Sequence, residues 1–143
     1  MFILLALACG TPTAPPAEAP ATEPVVAPAP AEVTNRVFFE QPKDGATVSS
    51  PVKVVFGAEG LEVEKAGQVR ENSGHHHIIV NGGPIAEGTA VPKDETHIHF
   101  GGGQTETELE LEPGEYTLTM QFADGSHMSF GEPLSSQVKI TVE

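Results

Sequence analysis

The two-residue repeat of apolar side chains in the C-terminal half limits the fold more than any other feature. Tyr116, Leu118, Met120 and Phe122 alternate with Thr117, Thr119 and Gln121, and Val138, Ile140 and Val142 alternate with Lys139, Thr141 and Glu143. A period of two belongs to a strand with one face in a core and the other in water, and does not fit the 3.6-residue stripe of a helix. Val52-Lys53-Val54-Val55-Phe56, bounded by Ser50-Pro51 and Gly57, is a further strand. Turn signals stand at Lys43-Asp44-Gly45, Asn81-Gly82-Gly83-Pro84 and Asp124-Gly125. Glu112-Pro113-Gly114-Glu115 carries Pro and Gly where a type II turn takes them, predicting a tight link from Leu109–Leu111 to Tyr116–Phe122. The pattern predicts an all-β protein, an antiparallel immunoglobulin-like β-sandwich of about seven strands.

That sandwich occupies Asn35–Glu143. Before it, Gly10–Thr34 is built of Pro, Ala, Thr and Glu with seven prolines and no basic residue. Such a segment has no apolar period to bury and reads as a disordered, Pro/Ala-rich tether. At ~3 Å per residue it spans several tens of Å. Met1–Ala8 is wholly apolar and leads into Leu7-Ala8-Cys9-Gly10, which contains the single Cys of the chain. An apolar run closing on small residues and a Cys reads as a signal peptide, residues 1–9, ending in a lipobox-like site with Cys9 as the lipidated residue. The expected location is the cell envelope, lipid-anchored to a membrane. One Cys also excludes an internal disulfide framework and any multi-thiolate metal site.

Charge and aromatic content narrow the partners. Seven Lys+Arg face twenty Asp+Glu, a net charge of −13. Three of the acidic residues and none of the basic ones precede Asn35, so the domain itself carries −10. This argues against nucleic acid or an anionic lipid surface as partner. With no Trp and one Tyr, a stacking platform for bases is also excluded. The chain has no Gly-x-Ser-x-Gly elbow, and Gly101-Gly102-Gly103 lacks the Lys of a phosphate loop. The expectation is a binding module, not an enzyme, with an envelope protein or polymer as a further partner class.

The six histidines all fall between positions 75 and 127. His75-His76-His77 runs into Ile78-Ile79-Val80, so on a strand His75 and His77 share one face and His76 takes the other. His97-Ile98-His99-Phe100 repeats the device, with Ile98 and Phe100 toward the core. Alternate strand positions lie ~6.5–7 Å apart, a span that two imidazoles can close on one metal ion. His127 follows the Asp124-Gly125 turn and approaches from a loop. The candidate metal ligands are therefore His75, His77, His97, His99 and His127, with His97 and His99 the leading pair. Imidazole suits copper and zinc, and Met128 offers a soft auxiliary donor. His76, Gln104 and Glu106 are auxiliary candidates, Glu106 as a carboxylate that orients a ligand histidine. Unperturbed histidine titration sets an expected loss of affinity below about pH 6.5. The alternative is that the histidines are hydrogen-bonding or surface residues of a structural sandwich.

Several of these motifs together resemble one family. Arg36-Val37-Phe38-Phe39, Pro42-x-Asp44-Gly45-Ala46, Ser73-Gly74-His75-His76-His77, His97-x-His99-Phe100-Gly101-x-Gly103-Gln104-Thr105-Glu106 and Ala123-Asp124-x-x-His127 are similar to the family called domain of unknown function 4399. The resemblance runs over nearly all of Arg36–Val142, and the two histidine motifs are its specific part. It implies an exported bacterial or archaeal domain, often a lipoprotein, and carries no established activity.

Overall fold

The computed structural model describes residues 10–11 and 34–143. The segment expected to be a signal peptide ending at Cys9, and nearly all of the expected tether, lie outside the described residues. Nine strands follow one another: β1 (Arg36–Gln41), β2 (Ala46–Val48), β3 (Val52–Glu59), β4 (Glu62–Val63), β5 (Ser73–Val80), β6 (His97–His99), β7 (Glu106–Leu109), β8 (Gly114–Ala123) and β9 (Ser135–Val142). Among the described residues a single 3-10 turn, Glu132–Leu134, precedes β9. The described residues contain no α-helix, and no helix long and apolar enough to cross a membrane.

The strands form two sheets. One has the order β1-β3-β7; the other runs β2-β9-β8-β5-β4, with β6 also paired to β5. The all-β sandwich expected from the alternation is therefore present, with nine strands where about seven were expected. Two of the pairings, β2–β9 and β4–β5, are parallel. Both involve strands of two or three residues laid along the edge of a longer one. β2 is pinned there by Gly45 N–H donating to Lys139 O at 2.7 Å and by Lys139 N–H donating to Asp44 Oδ1 at 2.8 Å.

Alternation delivers the core. Val37, Phe39, Val52, Val54, Phe56 and Leu109 from the smaller sheet pack with Ile78, Leu118, Met120, Phe122, Val138 and Ile140 from the larger one. Burial of each such side chain contributes roughly 1.5–3 kcal/mol.

Two local expectations are corrected. Glu112–Glu115 links Leu109–Leu111 to β8 without the expected type II turn, crossing from the sheet where β7 pairs with β3 to the one where β8 pairs with β5 and β9. Gly114, at φ 156°, is already the first residue of β8, opposite Val142. The opposite face of β8 is also dry where water was expected. Thr119 and Gln121 are fully buried, because the connection from β5 to β6 folds back over them. Gln121 Oε1 accepts from Ile85 N–H at 3.0 Å, and its amide donates to Gly131 O at 2.9 Å and Leu134 O at 3.2 Å. Thr119 Oγ1 donates to Gly82 O at 2.6 Å. Buried polar groups with these partners carry no desolvation penalty left unmet.

Close approach of β5 and β8 depends on Gly74. A Cβ at this position would overlap the carbonyl of Ala123. Gly74→Ala is expected to destabilise the domain by about 1–3 kcal/mol through overpacking. Urea unfolding measures this, and a variant as stable as the parent would show that the two strands separate freely there.

Candidate metal centre

The register of three strands assembles the histidines. β5 pairs with β6 so that His77 stands opposite His99, and with β8 so that His75 stands opposite Ala123 and His77 opposite Gln121. His75, His77 and His99 therefore share the outer face of the larger sheet, away from the sandwich core. The β5–β6 connection and the segment after β8 cover that face. Val91 N–H donates to His127 O at 2.9 Å, and Gly88 N–H donates to Ser129 O at 2.9 Å. Under this cover His75 is 0% and His77 1% exposed, while His99 and His127 are half-buried.

Ligand-type nitrogens of His75, His77 and His99 all lie within 4.8 Å of one another. His127 joins from the turn after β8, at φ 68°. Its Nε2 is 3.0 Å from His99 Nε2, which is in turn 3.1 Å from His75 Nε2. The ring centroids of His75 and His127 are 5.0 Å apart, and those of His99 and His127 are 4.6 Å apart. A neutral ring nitrogen holds either one proton or one lone pair. His99 Nε2 therefore cannot serve both neighbours with well-directed hydrogen bonds. His75 Nδ1 and His77 Nδ1 are buried with no partner at all.

Burial keeps these rings in the form that binds metal. Desolvation lowers His75 to about 4 and His77 to about 3, with the neighbouring histidines adding to both shifts. His99 is lowered by burial, then by His127 and Lys93. Asp124 opposes the shift at His75. Neutral imidazole is the ligating form, and these values keep it available well below neutral pH.

The other sequence candidates lie elsewhere. His97 shares the face of His99, but register sets it opposite Ile79, not another histidine. Its Nδ1 donates to Asp94 Oδ1 at 2.8 Å, and it stands outside the three-histidine group. The intrastrand pair His97 and His99 is thus replaced by cross-strand neighbours, His77 and His99. His76 points into the core, its ring stacked 4.7 Å from Phe56 and edge-on 5.2 Å from Phe122, with both ring nitrogens unpartnered. Gln104 Oε1 accepts from Gly102 N–H at 2.8 Å and shapes the loop after β6. Glu106 lies on β7 of the other sheet, 3.5 Å from Lys53 Nζ. Met128 follows His127 with 36% of its surface exposed.

Two supporting residues escaped the sequence reading. Gly101 leaves room for a ring, since a Cβ there would overlap His99. Asp94 accepts from the His97 ring at 2.8 Å and from the Thr96 hydroxyl and N–H at 2.7 and 2.9 Å, and these bonds hold its carboxyl well below the usual range; His97 N–H also donates to it at 3.0 Å. Gly directly after a His-x-His-aromatic strand was the available signal for the first. A carboxylate three residues before a histidine was the signal for the second.

His76 yields a test of how much of the triplet serves the site. A buried donor without a partner costs about 1–3 kcal/mol. His76→Leu, similar in volume, is expected to raise stability by about that amount at pH 7. His76 is held at about 4 in the fold, with burial the main cause, against an ordinary value of 6.5. The unfolded chain therefore takes up a proton first as pH falls, and the parent loses stability from pH 6.5 down to about 4. The variant lacks that loss, so its advantage should widen across the window; urea titrations at several pH values check this. A destabilised variant would show that the imidazole has a partner in solution.

Residues 54–143 match the family described as domain of unknown function (DUF4399), and the chain belongs to that family. The match starts within β3 and includes every histidine discussed above. Neither the curated proteins nor the solved structures contain a match to the chain.

Proposed function

We propose that this member of the DUF4399 family is a lipid-anchored binding module of the cell envelope that takes up a transition-metal ion, copper ahead of zinc, and is not an enzyme. The observation that carries the reading is the contact of three Nε2 atoms at 3.0 and 3.1 Å around His99. One cation accepts all three lone pairs at once and removes the conflict over a single proton. His77, within the same 4.8 Å group, supplies a fourth nitrogen. Metal–nitrogen bonds of ~2.0–2.1 Å meeting at tetrahedral angles place neighbouring ligands ~3.3–3.4 Å apart, whereas right angles place them ~2.8–3.0 Å apart. Both contacts are short enough for one ion to bridge the rings, and nitrogen sets of this kind suit Cu²⁺ ahead of Zn²⁺ in affinity.

Charge and access support the same reading. A domain charge of −10 raises the local concentration of cations. His99 and His127 are the half-exposed members of the set, so an ion enters from their side and His75 and His77 form the floor. Leu7-Ala8-Cys9-Gly10 and the tether after it support attachment to a membrane through Cys9. The competing reading makes the histidines hydrogen-bonding struts of an interaction domain that meets an envelope protein or polymer. The contact lengths suit hydrogen bonds, but this reading leaves His77 Nδ1 buried and unmet, while His75 Nδ1 lacks a partner in either reading.

The test is metal titration of the purified full chain, free of any affinity tag, with Cu²⁺ and Zn²⁺ and elemental analysis. One ion per chain is expected, with Cu²⁺ bound more tightly. His77→Ala and His99→Ala should each lower affinity strongly, and His97→Ala much less. In His127→Ala the remaining three rings all release protons more readily than free histidine. Its affinity should therefore begin to fall at a lower pH than the free-histidine value of 6.5 would set. Binding that survives His99→Ala unchanged would overturn the proposal.

A further inference from the structure

His127 is the one member of the cluster that no sheet holds. Its position depends on the turn Asp124-Gly125-Ser126-His127-Met128, and the Asp124 carboxylate closes that turn from inside. Asp124 Oδ1 accepts from Ser126 N–H at 2.7 Å and from Met128 N–H at 3.0 Å, the residues on either side of His127. The Asp124 main chain completes the frame: its carbonyl accepts from His127 N–H at 2.9 Å and its N–H donates to Met128 O at 3.0 Å. Within this frame His127 takes φ 68°, a conformation a side-chain-bearing residue adopts only when its surroundings enforce it.

We propose that Asp124 is the positioning residue of the metal centre, fixing His127 against His99 before an ion arrives. The inference rests on the metal-binding reading above and adds how the fourth ligand is held. A ligand already in place loses little conformational freedom on binding, whereas a loose loop has to be ordered at that moment. The geometry separates this role from a merely electrostatic one. Only a short side chain with an acceptor at the Oδ1 position can reach both N–H groups, so Asn keeps the frame without the charge. Glu keeps the charge but sets its carboxylate one methylene further out.

The experiment compares Asp124→Asn and Asp124→Glu, each with His127 present and with His127→Ala, by Cu²⁺ titration of the full chain. Asp124→Asn is expected to bind Cu²⁺ within a few-fold of the parent, and Asp124→Glu roughly 10- to 100-fold more weakly. In the His127→Ala background the Glu variant should cause no further loss. Proton NMR of the metal-free protein gives a second readout, in which the contact between the His127 and His99 rings persists in Asp124→Asn and disappears in Asp124→Glu. Three results would overturn the inference: Asp124→Asn as weak as Asp124→Glu, Asp124→Glu binding like the parent, or a loss of equal size without His127. If the parent binds no Cu²⁺, the metal reading fails, and the ring contact still decides whether Asp124 holds His127.

Discussion

The histidine centre depends on the register between β5 and β6, which sets His77 opposite His99. A slip of one residue would turn His76 outward and send His75 and His77 into the core. The register is fixed from the other side of the strand. Ile78 stands opposite Ile98 on β6 and Met120 on β8, and Ile78 and Met120 are fully buried. Apolar packing between the sheets thus places the imidazoles on the far face without the imidazoles contributing to that packing.

The same strand shows the cost of the arrangement. In His75-His76-His77 alternation alone exposes two rings to the site and drives the third into the core between Phe56 and Phe122. The buried His76 has no polar partner. Chain geometry explains where His76 goes, and nothing in its surroundings explains why a histidine, and not an apolar residue, occupies the position.

Much of this was legible in the sequence. The period of two announced the sandwich, and the spacing of His75 and His77 put them on one face. The turn after Asp124 correctly brought His127 toward the cluster. What could not be read was which strands neighbour which. Without the β5–β6 register His97 and His99 seemed the natural pair, since both leave one strand on one side. Cross-strand pairing instead set His97 against Ile79 and left it to Asp94. The burial of Thr119 and Gln121 was hidden for a similar reason: their alternation with apolar residues is that of a wet face, and only the fold-back of the β5–β6 connection makes it dry. Glu106 illustrates the limit of proximity in sequence, seven residues beyond His99 yet on the other sheet.

The cover that dries this face also shapes the chemistry of the centre. In open water the four imidazoles would compete with protons near neutral pH. Under the cover desolvation disfavours the charged form of His75, His77 and His99, so His75 and His77 remain lone-pair donors down to about 4 and about 3. Desolvation also penalises any ion that enters, and four neutral rings contribute no charge to offset it. The compensation has to come from beyond the ligands. The wider acidic surface of the domain supplies it through its summed field. On the metal-binding reading proposed above, the ion that suits such a centre is one whose bonds to nitrogen replace its hydration, which is where copper exceeds the other divalent first-row metals.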